Sequence, residues 1–301
     1  MADAAVQSQV EGRQNRAGWW FVSPALLLIG VFFVLPVLAA LLLSFTDFDL
    51  YAIGDIGNAR FVGLANYSAL VHNPVFWLAL KNTFYFALVA GPLTVAMSLG
   101  AALLVNAPLV RMRGLFRTIY FTPFVTTLVA VAIVWRYLYH PQYGLLNHAL
   151  GWFGIHPINW LGDPHWAMPA IILMATWKNF GYNMLILIAG LQSIPEDLYE
   201  AARLDGAGAI RRFRHVTLPM LGPTMLFVAV ITMIGYFQVF TEPYVMTAGG
   251  PLKATETVVL LMYEEGFRWW RMGVAASYAF ALFLIIMVGT LVQTRLQRVK
   301  I

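Results

Sequence analysis

The sequence contains no cysteine, and only 11% of its 301 residues are charged. The absence of cysteine excludes disulfide bonds and cysteine-based metal sites. Soluble domains carry roughly 25% charged residues, so the low charge content argues against an ordinary soluble domain. None of the lysines follows a glycine, which excludes a P-loop for ATP; they are Lys81, Lys178, Lys253 and Lys300.

The sequence contains long runs of apolar residues. Hydrophobic residues make up 60% of the chain, and its mean hydropathy is +0.71. A helix needs about 20 apolar residues to cross a bilayer, and six runs are long enough: 19–45, 77–106, 118–139, 166–191, 223–243 and 272–292. The first run is too long for the apolar region of a typical signal peptide, so we expect it to be retained. The predicted fold class is an all-α, polytopic membrane helix bundle with six transmembrane helices.

The basic residues are distributed unevenly between the two sides of this bundle. If the N-terminus is inside, the inner side holds Arg13, Arg16, Arg111, Arg113, Arg117, Arg203, Arg211, Arg212, Arg214, Arg295, Arg298 and Lys300. The outer loops hold only Arg60, Lys253, Arg268 and Arg271. Cytoplasmic loops are enriched in Lys and Arg, so we predict that both termini are cytoplasmic. The net charge of +5 then reflects topology, and we predict no nucleic-acid partner.

The polar segment between the fourth and fifth runs has the pattern of two short helices with a fixed turn. It begins SIPE, in which Ser193 and Glu196 have the spacing of a capping box. Gly206 is placed to end the first helix in a left-handed conformation, and a second short helix, AIRRFRHV, follows. Most acidic residues precede the turn and most arginines follow it. This pattern favours a docking surface for another protein over a connector that only joins two spans.

The same segment resembles the EAA loop of ATP-binding-cassette importer permeases. Glu200-Ala201-Ala202 is followed after three residues by Gly206, and nine residues later by Val216-Thr217-Leu218-Pro219. The one departure is Val216, where the family pattern has isoleucine. The segments FVGLANY at 61–67 and TAGGP at 247–251 are similar to the carbohydrate-uptake, maltose-type branch. The likeness covers nearly the whole chain from about residue 19.

This resemblance implies a type I importer permease fold and ATP-driven uptake of a sugar or sugar-like solute by alternating access. The residues implied to couple the permease to an ATPase are Glu200, Ala201, Ala202, Asp205 and Gly206. The implied partners are a second permease subunit, two ATP-binding-cassette subunits, an extracytoplasmic solute-binding protein and membrane lipid. The chain itself would hold no cofactor and catalyse no reaction, because ATP and Mg²⁺ bind the ATPase subunits.

The resemblance also implies a location and a division of the chain. The location is the inner membrane of a prokaryote. We divide the chain into a cytoplasmic tail (1–18), a transmembrane permease domain (19–292) with its cytoplasmic EAA loop (193–222), and a second cytoplasmic tail (293–301).

Polar side chains near the centre of the predicted spans indicate a solute pathway, because such groups are costly in a bilayer and mark functional sites. The candidates lie on the fourth and fifth spans: Lys178, Asn179, Tyr182, Thr232, Tyr236 and Gln238. Amides and aromatic rings suit the hydroxyl groups and C–H faces of a sugar. The alternative is that these groups bond neighbouring helices to one another, and Lys178 is open to either interpretation.

The sequence also leaves alternatives to this function. Alignment with the maltose-type family also places sugar contacts at Ala175, Gly235 and Val239, where the binding side chains are missing, so the solute stays open and a non-sugar solute is an alternative. A secondary transporter would show internal repeats, and a membrane-embedded enzyme would need a clustered catalytic constellation; neither is evident. Four histidines lie in the loop 140–165 without the i, i+3 or i, i+4 spacing of helical metal ligands, and we predict no metal site.

Overall fold

The computed structural model describes residues 19–107 and 109–298. The tail predicted for residues 1–18 lies outside the described residues, as do residues 299–301 of the second predicted tail. The described chain is helical, and within it the only strand-like pairing is an isolated bridge between Thr46 and Phe61. The chain divides into two compact units, Met1–Leu70 with Glu265–Phe280 and Val71–Glu264 with Ala281–Ile301. The all-α fold class is confirmed.

The first unit begins with α1 (Trp19–Leu43), whose apolar stretch contains no buried residue. The FVGLANY segment fixes the end of this helix. Asn66 Nδ2 donates hydrogen bonds to the carbonyl oxygens of Ser44 (2.9 Å) and Thr46 (2.8 Å), and the Tyr67 hydroxyl lies 2.8 Å from Ser44 Oγ. Two short helices, α2 (Leu50–Gly54) and α3 (Ala65–His72), flank this contact. The motif therefore has a structural role in holding the chain where α1 ends.

The second unit holds most of the remaining helices. They are α4 (Pro74–Asn106), α5 (Arg113–Val125), α6 (Leu128–Leu138), α7 (Leu145–Gly151), α8 (Pro164–Gln192), α9 (Glu196–Leu204), α10 (Ala209–Met220), α11 (Gly222–Phe237), α12 (Thr241–Thr247) and α13 (Val258–Tyr263). The last helix, α14 (Met272–Arg298), continues the chain through Phe280 into this unit.

The two longest of these helices, α4 and α8, begin in the same way. Each has proline at its first position, where a missing N–H costs no helical hydrogen bond. The preceding residue caps the helix: Asn73 Oδ1 accepts from the Val75 N–H (2.9 Å), and Asp163 Oδ1 accepts from the His165 N–H (2.8 Å). The hydrogen bonds from His165 hold the pKa of the Asp163 carboxyl below its usual value. The dipeptides Asn-Pro and Asp-Pro thus set where both helices start.

Small residues allow α4, α5, α8 and α11 to pack closely, as is usual for helices in membranes. A β-carbon added to Gly181 of α8 would overlap the carbonyl oxygen of Tyr120 on α5. A β-carbon on Gly91 of α4 would lie 2.5 Å from Sδ of Met233 on α11. The buried core of the unit lies between these helices and includes Phe86, Ile171, Met174 and Tyr236.

Two of the predicted spans are not single helices. The run 118–139 consists of α5 and α6, which meet at an angle of 95°, with Thr126 and Thr127 in extended conformation between them. The run 223–243 contains α11, which ends at Phe237, and the start of α12 at Thr241. The helices α10 and α11 also form a bent pair, at 67°. Among residues 19–107 and 109–298, four helices are long and apolar enough to cross a membrane, or up to six if each bent pair is one span.

The TAGGP motif belongs to a segment between α12 and α13 that is tied by threonine side chains. The hydroxyls of Thr247 and Thr255 lie 2.6 Å apart, and Thr255 Oγ1 donates to the Gly250 carbonyl oxygen (2.8 Å). Asn82 of α4 donates to the carbonyl oxygen of Glu256 (2.9 Å). Burial raises the pKa of the Glu256 carboxyl to about 7. The segment is thus an ordered part of the second unit.

Candidate coupling loop and solute cavity

The EAA loop folds into the two predicted helices, α9 and α10, joined by a sharp turn. Gly206 has a φ of +74°, the left-handed region that favours glycine. Its N–H donates to the Arg203 carbonyl oxygen (3.0 Å), and the Ala207 N–H donates to the Ala202 carbonyl oxygen (2.9 Å). This pair of bonds is the Schellman motif. The prediction that Gly206 ends the first helix is confirmed.

The predicted capping box is wrong. The helix α9 begins at Glu196 after Pro195, and no side chain caps it. Ser193 instead belongs to the end of α8, where its hydroxyl donates back to the Gly190 carbonyl oxygen (2.8 Å). Because this serine is held in helical conformation by the preceding helix, it cannot adopt the extended geometry of an N-cap. The Glu196 carboxylate lies 3.9 Å from the Arg203 guanidinium.

The predicted coupling residues lie on an exposed surface of this loop. Glu200, Ala201, Asp205 and Gly206 are exposed, and Ala202 is half-buried. Two large aliphatic side chains that the sequence analysis did not select, Leu204 (89% exposed) and Ile210 (83% exposed), flank the turn. The sequence alone does not single them out, because the segment 193–222 contains several other large aliphatic residues.

One side-chain bond ties the loop to itself. The Tyr199 hydroxyl of α9 lies 3.0 Å from Thr217 Oγ1, in the π-helical turn Phe213–Thr217 of α10. A cavity of about 650 Å³ lies behind the loop, bounded by the ends of α4 and α8. The two loop helices are therefore linked both by the backbone at Gly206 and by this hydrogen bond.

The predicted pathway residues of α8 and α11 surround a cavity of about 290 Å³. This volume is near the lower end of the range of about 300–1,000 Å³ that is usual for ligand pockets. The lining residues are Phe124, Asn179, Tyr182, Asn183, Phe227, Ile231, Thr232, Gly235 and Tyr236. The structure thus brings together four of the six predicted pathway residues, namely Asn179, Tyr182, Thr232 and Tyr236.

Two of these residues have polar atoms without a protein partner in the described chain. Tyr182 is 37% exposed, and its hydroxyl makes no hydrogen bond to the residues that the structure describes. Asn179 Nδ2 donates to the Ala175 carbonyl oxygen (2.8 Å) and lies 3.5 Å from the Tyr236 hydroxyl. The carboxamide oxygen of Asn179 accepts no hydrogen bond within the described residues. A phenol and an amide oxygen are therefore the groups most available to a solute.

The other polar groups are bonded to neighbouring helices. The Tyr236 hydroxyl lies 2.8 Å from Thr94 Oγ1 of α4 and donates to the Ala175 carbonyl oxygen (3.3 Å). Asn183 Nδ2 donates to Thr232 Oγ1 (2.8 Å). All of these side chains are buried. In this conformation Tyr236 and Thr232 support the wall of the cavity by linking α4, α8 and α11.

Lys178 and Gln238 lie outside this lining. Lys178 is buried, and its Nζ donates to the carbonyl oxygens of Pro123 (3.2 Å), Phe124 (3.1 Å) and Thr126 (3.1 Å). The last carbonyls of a helix have no helical partner, and a cation is favourable there. Lys178 thus caps α5 at the break. Gln238 is exposed and follows the last residue of α11.

Several cavity residues were not predicted as pathway residues, among them Asn183, Phe227, Ile231 and Phe124, and Phe124 makes the closest ring contact there. Its ring stacks on Tyr182, with the ring centroids 4.5 Å apart and the planes at 14°. Apolar runs contain many phenylalanines, and nothing in the local pattern marks this one. Only the break after Val125, which the sequence analysis treated as continuous helix, brings it to the cavity.

No group of three or more His, Cys, Asp or Glu side chains within the described residues could hold a metal ion. Two of the four histidines in the loop 140–165 interact with neighbouring side chains. The His140 ring stacks on Tyr143, and the His165 ring nitrogen Nδ1 lies 3.1 Å from Asp163 Oδ1.

The chain is similar in sequence to the permease subunits of known transport systems. A family profile described as the inner membrane component of binding-protein-dependent transport systems matches residues 11–300. The lactose transport system permease protein LacF of Rhizobium radiobacter is 40% identical over 281 residues, which cover 92% of each chain. The trehalose/maltose transport system permease protein MalF of Thermococcus litoralis is 33% identical over 298 residues, which cover 99% of each chain.

A solved structure shares the fold. It is a bacterial ABC transporter involved in the import of the acidic polysaccharide alginate, and it matches with a TM-score of 0.82 and 22% identity, covering 97% of this chain and 98% of that chain. The resemblance recognised in the EAA loop is thus confirmed by relatives that match along nearly the whole chain. This chain belongs to the family of inner membrane components of binding-protein-dependent transport systems.

Proposed function

We propose that this chain is one of two permease subunits of an ATP-driven importer for a sugar or sugar-like solute, and that α9 couples it to the ATPase. The observation that carries the proposal is the exposed helix α9, ended by the left-handed Gly206. A helix with a fixed end can transmit displacement, whereas a flexible connector cannot. The names of the curated relatives, which include lactose and trehalose/maltose permeases, support a sugar.

As an inner membrane component of its family, the chain is a transport subunit rather than an enzyme, and it works with a solute-binding protein and ATPase subunits. The finer arrangement is proposed. It comprises a second permease, two ATPase subunits that bind ATP and Mg²⁺, surrounding lipid, and six spans with both termini in the cytoplasm of a prokaryote. Closure of the ATPase pair would pull the two α9 helices together and turn the cavity outward.

The proposed solute site is the cavity of about 290 Å³. The Tyr182 ring would stack on the C–H face of a sugar, and the Tyr182 hydroxyl and the Asn179 carboxamide would bond its hydroxyl groups. Thr232 and Tyr236 would hold these residues in place through α4 and α11. The second permease would supply the facing wall.

Coupling through α9 can be tested with two glycines that differ in backbone conformation. Gly206 has φ +74° and Gly208 has φ −67°, and an added β-carbon meets no atom within 4 Å at either position. A left-handed conformation costs a residue with a β-carbon about 1–2 kcal/mol. In reconstituted complexes, Gly206→Val and Glu200→Ala should lower the ATPase activity stimulated by the loaded binding protein, and Gly208→Val should not. Wild-type stimulation in both Gly206→Val and Glu200→Ala would refute the coupling role.

The proposed orientation can be tested by thiol labelling, because the chain has no native cysteine. Asn147 appears in the outer loop but is a poor position, since its side chain is buried and bonded to Trp160 Nε1 (2.9 Å). Trp152 is 78% exposed in the same loop. An impermeant maleimide should label Trp152→Cys in intact cells and should label Ala209→Cys only after lysis. The opposite pattern would place α9 outside the cell and contradict ATPase docking.

A further inference from the structure

Phe124 covers the aromatic ring that is most available to a solute. The Phe124 and Tyr182 rings are nearly parallel, with centroids 4.5 Å apart. This spacing is at the short end of the range for stacked aromatic pairs, about 4.5–7 Å. No third ring or sugar fits between them. In this conformation one face of Tyr182 is therefore occupied by the protein itself.

Two further contacts support Phe124 in this position. Lys178 Nζ donates to the carbonyl oxygens of Phe124 and of Pro123 before it, and lies 5.6 Å from the centre of the Phe124 ring. The Phe121 ring lies 5.7 Å from the Phe124 ring, at 30° between the planes. Phe124 is thus held against Tyr182 by an anchor on α8 and by its own helix.

The same geometry leaves Phe124 able to move. It precedes the break between α5 and α6, where Thr126 and Thr127 are extended. The terminal carbonyl oxygens of α5 are bonded to the lysine ammonium, which sits on a flexible stem with rotatable donors. A shift of this helix end can therefore be followed by Lys178 while its hydrogen bonds persist.

We propose that Phe124 is an internal competitor for the solute: it stacks on Tyr182 in the empty transporter, and a sugar ring takes its place. This inference rests on the proposed solute site. An entering solute must offer an apolar face that replaces the lost ring contact. Sugars have such a face, whereas ions and small hydrophilic solutes do not. Phe124 would thus set specificity and keep the empty pathway closed to them.

The test measures binding of radiolabelled lactose and maltose to the purified complex of this permease with its partner permease and ATPase subunits, by equilibrium dialysis. Removal of a competing ring should tighten binding. The free energy of one aromatic contact corresponds to a change of about two- to tenfold in affinity. Phe124→Ala should show this gain, and Phe124→Leu a smaller one. The control is Phe116→Ala, which removes a ring from the same helix at a position outside the cavity.

The outcomes separate this inference from the proposed function. Unchanged or weaker binding in Phe124→Ala would overturn the competitor role, and if that variant does not assemble, Phe124→Leu decides in the same way. Tyr182→Ala should weaken binding of the same probes. If it does so while the Phe124 variants gain nothing, the site stands and the competitor role fails. If Tyr182→Ala binds like the wild type, the proposed solute site is itself wrong.

Discussion

Replacing Gly181 with alanine is expected to prevent stable assembly of the transporter or to lower its melting temperature sharply. The added β-carbon would overlap the carbonyl oxygen of Tyr120 and lie 2.6 Å from its carbonyl carbon and 3.1 Å from the α-carbon of Phe121. Overpacking a core usually costs about 1–3 kcal/mol when side chains can shift. Here the obstacle is the backbone of α5, so the whole helix must move away from α8.

Two other glycines provide a graded comparison for this prediction. Gly91→Ala meets only the side chain of Met233, whose Sδ atom would lie 2.5 Å from the added carbon, and a methionine side chain can change rotamer. Gly100→Ala, also on α4, meets no atom within 4 Å. Detergent-solubilised complexes should therefore melt in the order Gly181→Ala first, Gly91→Ala next and Gly100→Ala with the wild type. Equal melting of the Gly181 and Gly100 variants would contradict the close approach of α5 and α8.

The second large effect is expected from Lys178→Met, which retains the length of the side chain and removes its charge. The change leaves the carbonyl oxygens of Pro123, Phe124 and Thr126 without their donor. Hydrogen bonds to charged groups contribute about 1.5–3 kcal/mol each. The buried Glu242 carboxyl also loses its electrostatic interaction with Lys178. We expect a complex that assembles poorly, as seen by size-exclusion chromatography, with loss of import as a consequence.

Lys178→Arg and Gln238→Met serve as controls. Arginine restores donors and charge and should recover part of the assembly. Gln238 is exposed, and its replacement should change neither assembly nor melting. If Lys178→Met instead assembles and melts like the wild type and loses only solute import, then Lys178 is a solute ligand and not the cap of α5.

Features that depend on neighbouring residues could be predicted from the sequence. The stop at Gly206 follows from the conformational freedom of glycine after a run of helix formers. The Asn-Pro and Asp-Pro starts of α4 and α8 are equally local, but the predicted runs, which began at 77 and 166 from hydropathy alone, did not use them. The predicted capping box is wrong although it is also a local pattern, because Ser193 is the C-cap residue that directly follows α8. A serine between two helices can cap the start of the second or extend the end of the first. Here Ser193 continues the backbone conformation of the longer helix, α8.

The contents of the cavity could be predicted only in part. The polar cluster on α8 was visible because amides and a tyrosine stand out in an apolar run. The hydrogen-bond partners of the polar residues could not be predicted. Tyr236, for example, bonds to Thr94, which lies 142 residues away in sequence. Phe124 was missed for the same reason. Its place at the cavity depends on a helix break that is stabilised by Lys178, on a different helix.

The capping of α5 by Lys178 has an electrical consequence. The lysine charge is directed at carbonyl oxygens, and none of the residues that line the cavity in the described chain carries a formal charge. Moving one elementary charge across a membrane potential involves about 2.3 kcal/mol per 100 mV. A wall that is neutral and receives a neutral solute moves no charge through this field. Passage of such a solute along this wall would then be independent of the membrane potential, whereas a displacement of the Lys178 ammonium across the membrane would not be.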